Sequence, residues 1–185
     1  MSPSATPPAP ALPARSARVG EIVAAAGALL DGAGPEAVSM RNVAQRLGIK
    51  APSLYKHVRD KAALESLLIA DGLLSMGSVL HAAVASGPPE LAVRRLLPAY
   101  RAHALATPAL YRLVTSGRLD RSSLPAGLED WSGQPFWLAA GQRPYRAQAL
   151  WAATHGMTIL ELDGRFADVS DLDRSWSELA DAFTG

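Results

Sequence analysis

Cysteine is absent from this chain of 185 residues, and aromatic residues are few. Without cysteine there is no disulfide framework, no thiolate metal site and no thiol redox sensor. Hydrophobic residues make up 49% of the chain and include many Ala and Leu but only three Phe. Because this composition favours helices over a β-sandwich, we expect an all-α fold.

Sequence signatures of catalysis and membrane insertion are also lacking. The chain has no GxSxG, P-loop, Rossmann glycine fingerprint or HExxH, and His155, Glu161 and Asp163 do not fall on one helical face. We expect no enzyme activity, no cofactor and no metal site. No apolar run approaches the roughly 18 residues of a transmembrane helix, and the N-terminal MSPSATPPAPALPA lacks the apolar core of a signal peptide. A cytoplasmic protein with no membrane partner is expected.

Positive charge is concentrated in one short segment. The whole chain has a net charge of +1, but Ser39 to Lys61 carries six cations against one anion, which gives this segment +5 and the remainder −4. Such a concentration on an otherwise near-neutral chain indicates a surface for phosphate groups, although the charges could simply face water. The six cations are Arg41, Arg46, Lys50, Lys56, Arg59 and Lys61.

The same segment has the pattern of two short helices joined by a turn. Gly48 supplies the left-handed residue that ends the first helix, and Pro52 can open the second, on which Leu54 and Val58 face inward. Two such helices form the helix-turn-helix arrangement that reads a DNA major groove. The apolar positions of the first helix are Met40, Val43, Ala44 and Leu47, and the polar face of the second consists of Ser53, Lys56 and His57.

Turn-forming residues predict three regions and about nine helices. A disordered, proline-rich arm is expected over residues 1–14, a three-helix DNA-binding domain over 15–62 and a second all-helical domain over 63–185. Asp60 is placed to cap a long connecting helix. Within that helix Gly72 and Gly77 either admit a close neighbouring helix or allow a bend, and Ser170 with Asp173 forms an approximate capping box near the C-terminus.

Two segments resemble the TetR family of transcriptional regulators. The first is PEAVSMRNVAQRLGIKAPSLYKHVRDKAALESLL, and the second, WAATHGMTILELDGRF, is similar to the Trp-His-Gly motif of one TetR subgroup. The resemblance implies an all-α homodimer whose N-terminal domains bind an inverted repeat in double-stranded DNA. It also implies that the C-terminal domain holds the dimer interface and binds a small organic effector that releases the DNA.

Candidate DNA contacts follow from the helix faces and from the resemblance. Lys56 and His57 can reach base edges or phosphates, and the resemblance assigns phosphate contacts to Tyr55 and Lys61. Lys50 departs from the family, which usually has a capping Ser or Thr there, so either its neighbours compensate or DNA favours its charge. The full candidate set is Arg41, Lys50, Ala51, Ser53, Tyr55, Lys56, His57 and Lys61.

The second domain gives weaker signals, because aromatic and small residues at helical spacing are as typical of a core as of a binding site. Effector candidates by residue type and helix placement are Met76, Tyr100, His103, Tyr111, Trp137 and His155. Dimer-interface candidates are Trp151, Ala152, His155, Gly156 and Trp176. Since few charges accompany the aromatics, an apolar or weakly polar effector is expected.

We therefore predict a ligand-responsive regulator, most simply a repressor, that binds a palindromic operator as a dimer. The alternative is a small-molecule-binding or protein-interaction module that no longer reads DNA specifically. Retention of Arg41, Lys56, His57 and Lys61 argues against this alternative.

Overall fold

The computed structural model describes residues 7–167, 169 and 171–184. Among them it contains nine α-helices and three short 3₁₀ turns, with no β-strand, which confirms the all-α prediction. The helices are α1 (Ala17–Ala33), α2 (Met40–Arg46), α3 (Ala51–Leu54), α4 (Lys61–Ala85), α5 (Ala92–Ala106), α6 (Pro108–Thr115), α7 (Leu128–Ala139), α8 (Pro144–Leu162) and α9 (Leu172–Ala182).

The chain forms two compact units whose limits do not follow a single cut in the sequence. The N-terminal unit consists of Pro10–Leu74 and Thr107–Glu129. The C-terminal unit consists of Ser75–Ala106 with the described residues of Met1–Ala9 and Asp130–Gly185. Both α4 and α7 contribute residues to each unit. The prediction placed a single boundary after residue 62 and did not divide either helix.

The N-terminal unit is built around α1. Ser16 caps this helix by accepting a hydrogen bond from the Val19 N–H at 3.3 Å, and Gly34, with φ of +77°, ends it. The apolar stripe of α1 packs against α2 and α6. Its buried core residues include Ile22, Ala26, Leu30, Val38, Val43, Leu54, Val58, Leu64 and Leu68.

Helix α4 begins and packs as its sequence predicts. Asp60 accepts a hydrogen bond from the Ala63 N–H at 2.8 Å, which confirms it as the N-cap. A Cβ at Gly72 would lie 2.5 Å from the Val114 side chain, and one at Gly77 would collide with the Trp131 ring. Of the two roles considered for these glycines, close packing of neighbouring helices is therefore confirmed.

Helix α4 bears on the expectation that no apolar run is long enough to span a membrane. The helix has a mean hydropathy of 1.7 over its most apolar window, enough to cross a membrane on these two criteria. The expectation was based on uninterrupted apolar runs, and Asp71, Ser75 and Ser78 interrupt the run in this helix. A single helix of this kind is weak evidence for a membrane segment, since core helices of soluble proteins pass the same test.

Ion pairs and carbonyl contacts hold the helices of the C-terminal unit. Arg101 on α5 donates three hydrogen bonds to Glu161 on α8 and a fourth, of 2.6 Å, to Asp173 on α9. Trp176 Nε1 donates to the same Glu161 carboxylate at 2.9 Å. Arg95 donates to three backbone carbonyls at and beyond the C-terminal end of α4, each at 2.9 Å, and so satisfies groups that a helix end leaves free.

The two ends of the chain differ in part from prediction. Ser170 of the expected capping box lies outside the described residues, and the N-cap of α9 is Asp171, which accepts from the Arg174 N–H at 3.0 Å. Residues 7–16 have no regular secondary structure, as expected of a proline-rich segment. They nevertheless make specific contacts, because the Pro7 carbonyl accepts from Trp131 Nε1 at 3.1 Å and Arg15 pairs with Asp71 at 2.7 Å.

Candidate nucleic-acid interface

The turn between α2 and α3 has the geometry that the sequence predicts. Ser39 caps α2 by accepting from the Asn42 N–H at 3.1 Å. Gly48 has φ of +65°, the left-handed conformation that glycine adopts without steric cost. The Ile49 N–H then returns to the Ala44 carbonyl at 3.0 Å, which closes the end of α2. These contacts hold α3 at a fixed position beside α2.

Helix α3 is shorter than predicted but presents the predicted faces. Its regular part ends at Leu54, where a continuous helix to Val58 was expected. The Val58 N–H still bonds to the Leu54 carbonyl at 2.9 Å, so one more helical turn is approximated and both side chains are buried. The side chains on the other side are exposed; they are Ser53, Tyr55, Lys56 and His57.

The six cations of the segment are all exposed, and four of them make no ion pair with any described residue. The exceptions are Arg59, which pairs with Asp60 at 2.7 Å, and Lys61, which lies 3.4 Å from Glu65. The hydrogen bond from Ala63 and the Arg59 guanidinium together lower the pKa of Asp60, which therefore stays charged as the cap of α4. The four cations without an ion pair are Arg41, Arg46, Lys50 and Lys56.

Lys50 occupies the N-cap position of α3 and offers no side-chain cap. Its backbone is extended, with φ of −78° and ψ of 140°, and its side chain is exposed. A lysine here leaves N–H groups of α3 without an acceptor and adds a cation at the positive end of the helix dipole. The local structure gives no compensating contact for this charge.

This surface has the chemistry of a phosphate and base contact site. Arg and Lys neutralise phosphates, and Ser, Tyr and His supply hydrogen bonds at the same face. No group of three or more His, Asp or Glu side chains comes together in the part of the chain that the structure describes.

The effector candidates are divided between the two units. Tyr111 is buried in the N-terminal unit, whereas the other five candidates belong to the C-terminal unit. Tyr100 is buried there with its ring edge-on to Phe136 at 5.5 Å, but Trp137 lies at the surface. Burial lowers the pKa of both His103 and His155. Met76 is half-buried on α4.

The dimer candidates divide between surface and interior. Trp151 is 47% exposed and stacks on His155 at 5.8 Å, and Ala152 is exposed beside them. A Cβ at Gly156 would meet nothing within 4 Å, so this part of α8 is open. Trp176 is only 6% exposed and is held by Glu161, so its indole lies inside its own unit.

Several residues that the sequence did not single out have notable exposure or contacts in the structure. Tyr145 is 83% exposed and Leu160 is also exposed on α8, which extends the apolar face of that helix.

His81 is buried, stacks on Trp131 and lies 2.9 Å from its carbonyl through Nε2. The sequence signal for this contact was Pro135, four residues after Trp131. A proline inside a helix leaves the Trp131 carbonyl without its N–H partner, so another donor can bind there.

Comparison with known proteins identifies the class of this chain. The family model described as bacterial regulatory proteins, tetR family, matches residues 22–65, and a tetracyclin repressor-like C-terminal domain matches residues 93–183. The Uncharacterized HTH-type transcriptional regulator Rv0681 of Mycobacterium tuberculosis is 28% identical over 180 residues, which cover 91% of this chain and 80% of that protein.

Solved structures share the fold. A protein with unknown function from Rhodococcus sp. RHA1 is 21% identical and matches with a TM-score of 0.75 over 92% of this chain and 95% of its own. A single-substitution variant of TetR from Acinetobacter baumannii AYE, in complex with minocycline, is 23% identical with a TM-score of 0.59 over 89% of this chain and 93% of its own.

The fold and the matched segments define a helix-turn-helix transcriptional regulator. The chain belongs to the TetR family, whose members are regulators of transcription and not enzymes. The narrower resemblance to the Trp-His-Gly subgroup stays a prediction.

Proposed function

We propose that this TetR-family regulator is a cytoplasmic repressor that binds a palindromic operator as a dimer and releases it on binding a small organic effector. The observation that carries the proposal is the exposed face of α2 and α3. Four cations that form no ion pair with the described residues flank a polar helix face there, and the rest of the chain is slightly acidic. Without DNA these charges repel each other, and phosphates would neutralise them.

In the proposed complex α3 lies in the major groove. Lys56 and His57 face base edges, and Ser53 with the Ala51 methyl group makes close contacts at the helix start. Arg41 on α2 is placed to contact a base. The flanking groups Lys50, Tyr55 and Lys61 contact phosphates and so fix the register of the reading helix.

The proposed dimer interface is the exposed face of α8. Tyr145, Trp151, Ala152 and Leu160 are exposed there, and Gly156 allows a partner helix to approach closely. Apolar and aromatic side chains are enriched in the cores of protein interfaces. Trp176 is not part of this proposed surface, because it is buried within its own unit.

The proposed effector site lies in the C-terminal unit. Support comes from the minocycline complex of the Acinetobacter baumannii protein, which has a related fold and binds a small organic molecule. Aromatic candidates from α5 and α8 are available in this unit, namely Tyr100, His103 and His155.

Selection of bound duplexes from a random pool tests the proposal directly. The selected sequences are expected to share an inverted repeat, and sedimentation of the free chain is expected to show a dimer. A selection without a palindrome would contradict specific operator binding and favour the module that no longer reads DNA. Metabolites that release the selected duplex can then be screened, and genes beside the operator would indicate the effector class.

Matched variants separate this surface from general charge effects. Lys56→Ala is expected to lower operator affinity about tenfold, whereas Arg165→Ala, which removes an exposed cation in the C-terminal unit, should have little effect. Equal losses for the two variants would show that binding depends on net charge alone.

A further inference from the structure

Pro135 determines which ring nitrogen of the buried His81, in the C-terminal unit, carries the hydrogen. A proline inside α7 has no N–H, so the carbonyl of Trp131 lacks its helical partner. His81 Nε2 lies 2.9 Å from this carbonyl oxygen. Because a carbonyl oxygen only accepts hydrogen bonds, Nε2 carries the hydrogen, and in the neutral ring Nδ1 is then a hydrogen-bond acceptor.

The Nδ1 atom of His81 is buried and has no hydrogen-bond partner in the described part of the chain. The residue is only 4% exposed, and its ring is stacked on Trp131 with a centroid distance of 4.6 Å. The stack and the Nε2 bond together prevent the ring from turning Nδ1 towards solvent. A buried acceptor without a donor is unfavourable, and each such atom in a native protein calls for an explanation.

A second buried acceptor lies on α7, the helix whose Trp131 stacks on His81. Gln134 Oε1 is inaccessible to solvent and has no hydrogen-bond partner among the described residues. It belongs to α7, one turn after Trp131 and directly before Pro135. By contrast, the buried hydroxyls of Thr154 and Thr158 donate to carbonyls one turn back in α8, at 2.7 and 2.9 Å, and need no further partner.

We infer that His81 Nδ1 and Gln134 Oε1 are the polar recognition groups of the effector site, and that the effector carries a hydroxyl or N–H donor. Two acceptors favour a ligand that donates and disfavour carboxylates, ethers and esters, whose oxygens only accept. An anion would also lose its hydration without gaining a donor. This inference rests on the proposed function only because it calls the ligand an effector.

Nuclear magnetic resonance of the full chain with ¹⁵N-labelled histidine tests this inference without DNA. The probes are phenol and aniline, which donate, with anisole and benzoate as matched solutes that do not. Phenol and aniline are expected to shift the Nδ1 resonance of His81, whereas anisole and benzoate leave it unchanged. The Nε2-protonated tautomer is expected in the free chain.

Two variants show whether the acceptor itself is responsible. His81→Gln can keep an N–H donor for the Trp131 carbonyl but removes the ring acceptor, so the dissociation constant for phenol is expected to rise about tenfold. Thr154→Val removes a hydroxyl already satisfied by its own helix and should leave phenol binding unchanged. Solute titrations followed by thermal shift give both constants and show whether each variant is folded.

Several results would overturn the inference. These are equal binding of phenol and anisole, full phenol binding by His81→Gln, the other tautomer in the free chain, or no shift of Nδ1 with either donor solute. A water on Nδ1 that no solute displaces would have the same consequence. Failure of operator binding would instead overturn the proposed function, since none of these measurements includes DNA.

Discussion

The basic segment of α2 and α3 and the helix α5 use their cations in opposite ways. In the segment, Arg41, Arg46, Lys50 and Lys56 are exposed and make no ion pair with the described residues. On α5, each arginine has protein partners, which are the Asp181 carboxylate for Arg94, backbone carbonyls for Arg95, and Glu161 with Asp173 for Arg101.

The difference separates cations that hold the fold from cations available to a partner. Arg101 is partly buried, and its guanidinium donates three hydrogen bonds to Glu161 and one to Asp173. Few of its N–H groups are therefore left to bind another molecule. Arg41 and Lys56 contribute no such contact to their own unit. Basic residues are therefore informative about function where they lack partners and about stability where they have them.

The largest effect is expected for loss of the α5 ion pairs. Arg101→Met should reduce the free energy of unfolding by about 2–3 kcal/mol, because the Glu161 carboxylate stays largely buried without its cation. Arg41→Met should change stability by less than about 0.5 kcal/mol and weaken DNA binding instead. Urea unfolding of both variants measures the difference.

Equal stabilities for Arg101→Met and Arg41→Met would show that Arg101 does not stabilise the fold through its ion pairs. A loss of operator affinity in Arg101→Met, under conditions where that variant is fully folded, would contradict the division between the two groups of cations.

The next effect concerns the close approach at α4. Gly77→Ala should destabilise the chain by about 1–3 kcal/mol, because its Cβ meets the Trp131 ring and lies 3.0 Å from the Ser132 backbone. Gly20→Ala on α1 is the matched control. Its Cβ meets nothing within 4 Å, so a gain of about 0.5–1 kcal/mol from helix propensity is expected. Thermal unfolding of the two variants gives the sign, and stabilisation by Gly77→Ala would contradict the packing.

A smaller effect is expected at Lys50, where function and local stability oppose each other. Lys50→Ser restores an N-cap acceptor to α3 and should raise stability by about 0.5–1 kcal/mol. Removal of the cation should at the same time weaken operator binding severalfold. Denaturant unfolding and a binding titration on one sample test both effects. Tighter operator binding with unchanged stability would show that Lys50 is not a DNA contact.

The smallest effect is the pH dependence from two half-buried histidines, His103 and His155. Burial lowers the pKa of His103 and His155 below the ordinary value, so the unfolded chain binds protons first as the pH falls through about 6.5. Stability should therefore decrease from pH 6.5 down to the folded-state pKa values and then level off. The double variant His103→Gln with His155→Gln should show a shallower decrease in urea unfolding, and an unchanged slope would contradict the assignment.

Much of the fold and of the reading surface could be predicted because local signals specify them. Gly48 marks a turn and Asp60 a helix start, and the structure confirms both. The inward positions Leu54 and Val58 follow helical spacing, and both are buried. The charges of the basic segment are adjacent in sequence, so their concentration required no knowledge of tertiary contacts.

The C-terminal unit could not be predicted to the same depth because its important contacts join distant residues. Arg101 meets Glu161 across 60 positions, and His81 meets Trp131 across 50. Spacing along one helix carries no information about such pairs. The same limitation explains why Trp176 was assigned to a dimer surface although it packs on Glu161 within its own unit.

The salt dependence of operator binding tests most directly whether the α2–α3 surface binds DNA. Fluorescence anisotropy of the selected duplex between about 50 and 200 mM salt should give a steep linear fall of log affinity against log salt. For Lys56→Ala we expect weaker binding at every salt concentration and a slope smaller in magnitude by about 0.9. An unchanged slope and affinity for Lys56→Ala would contradict it.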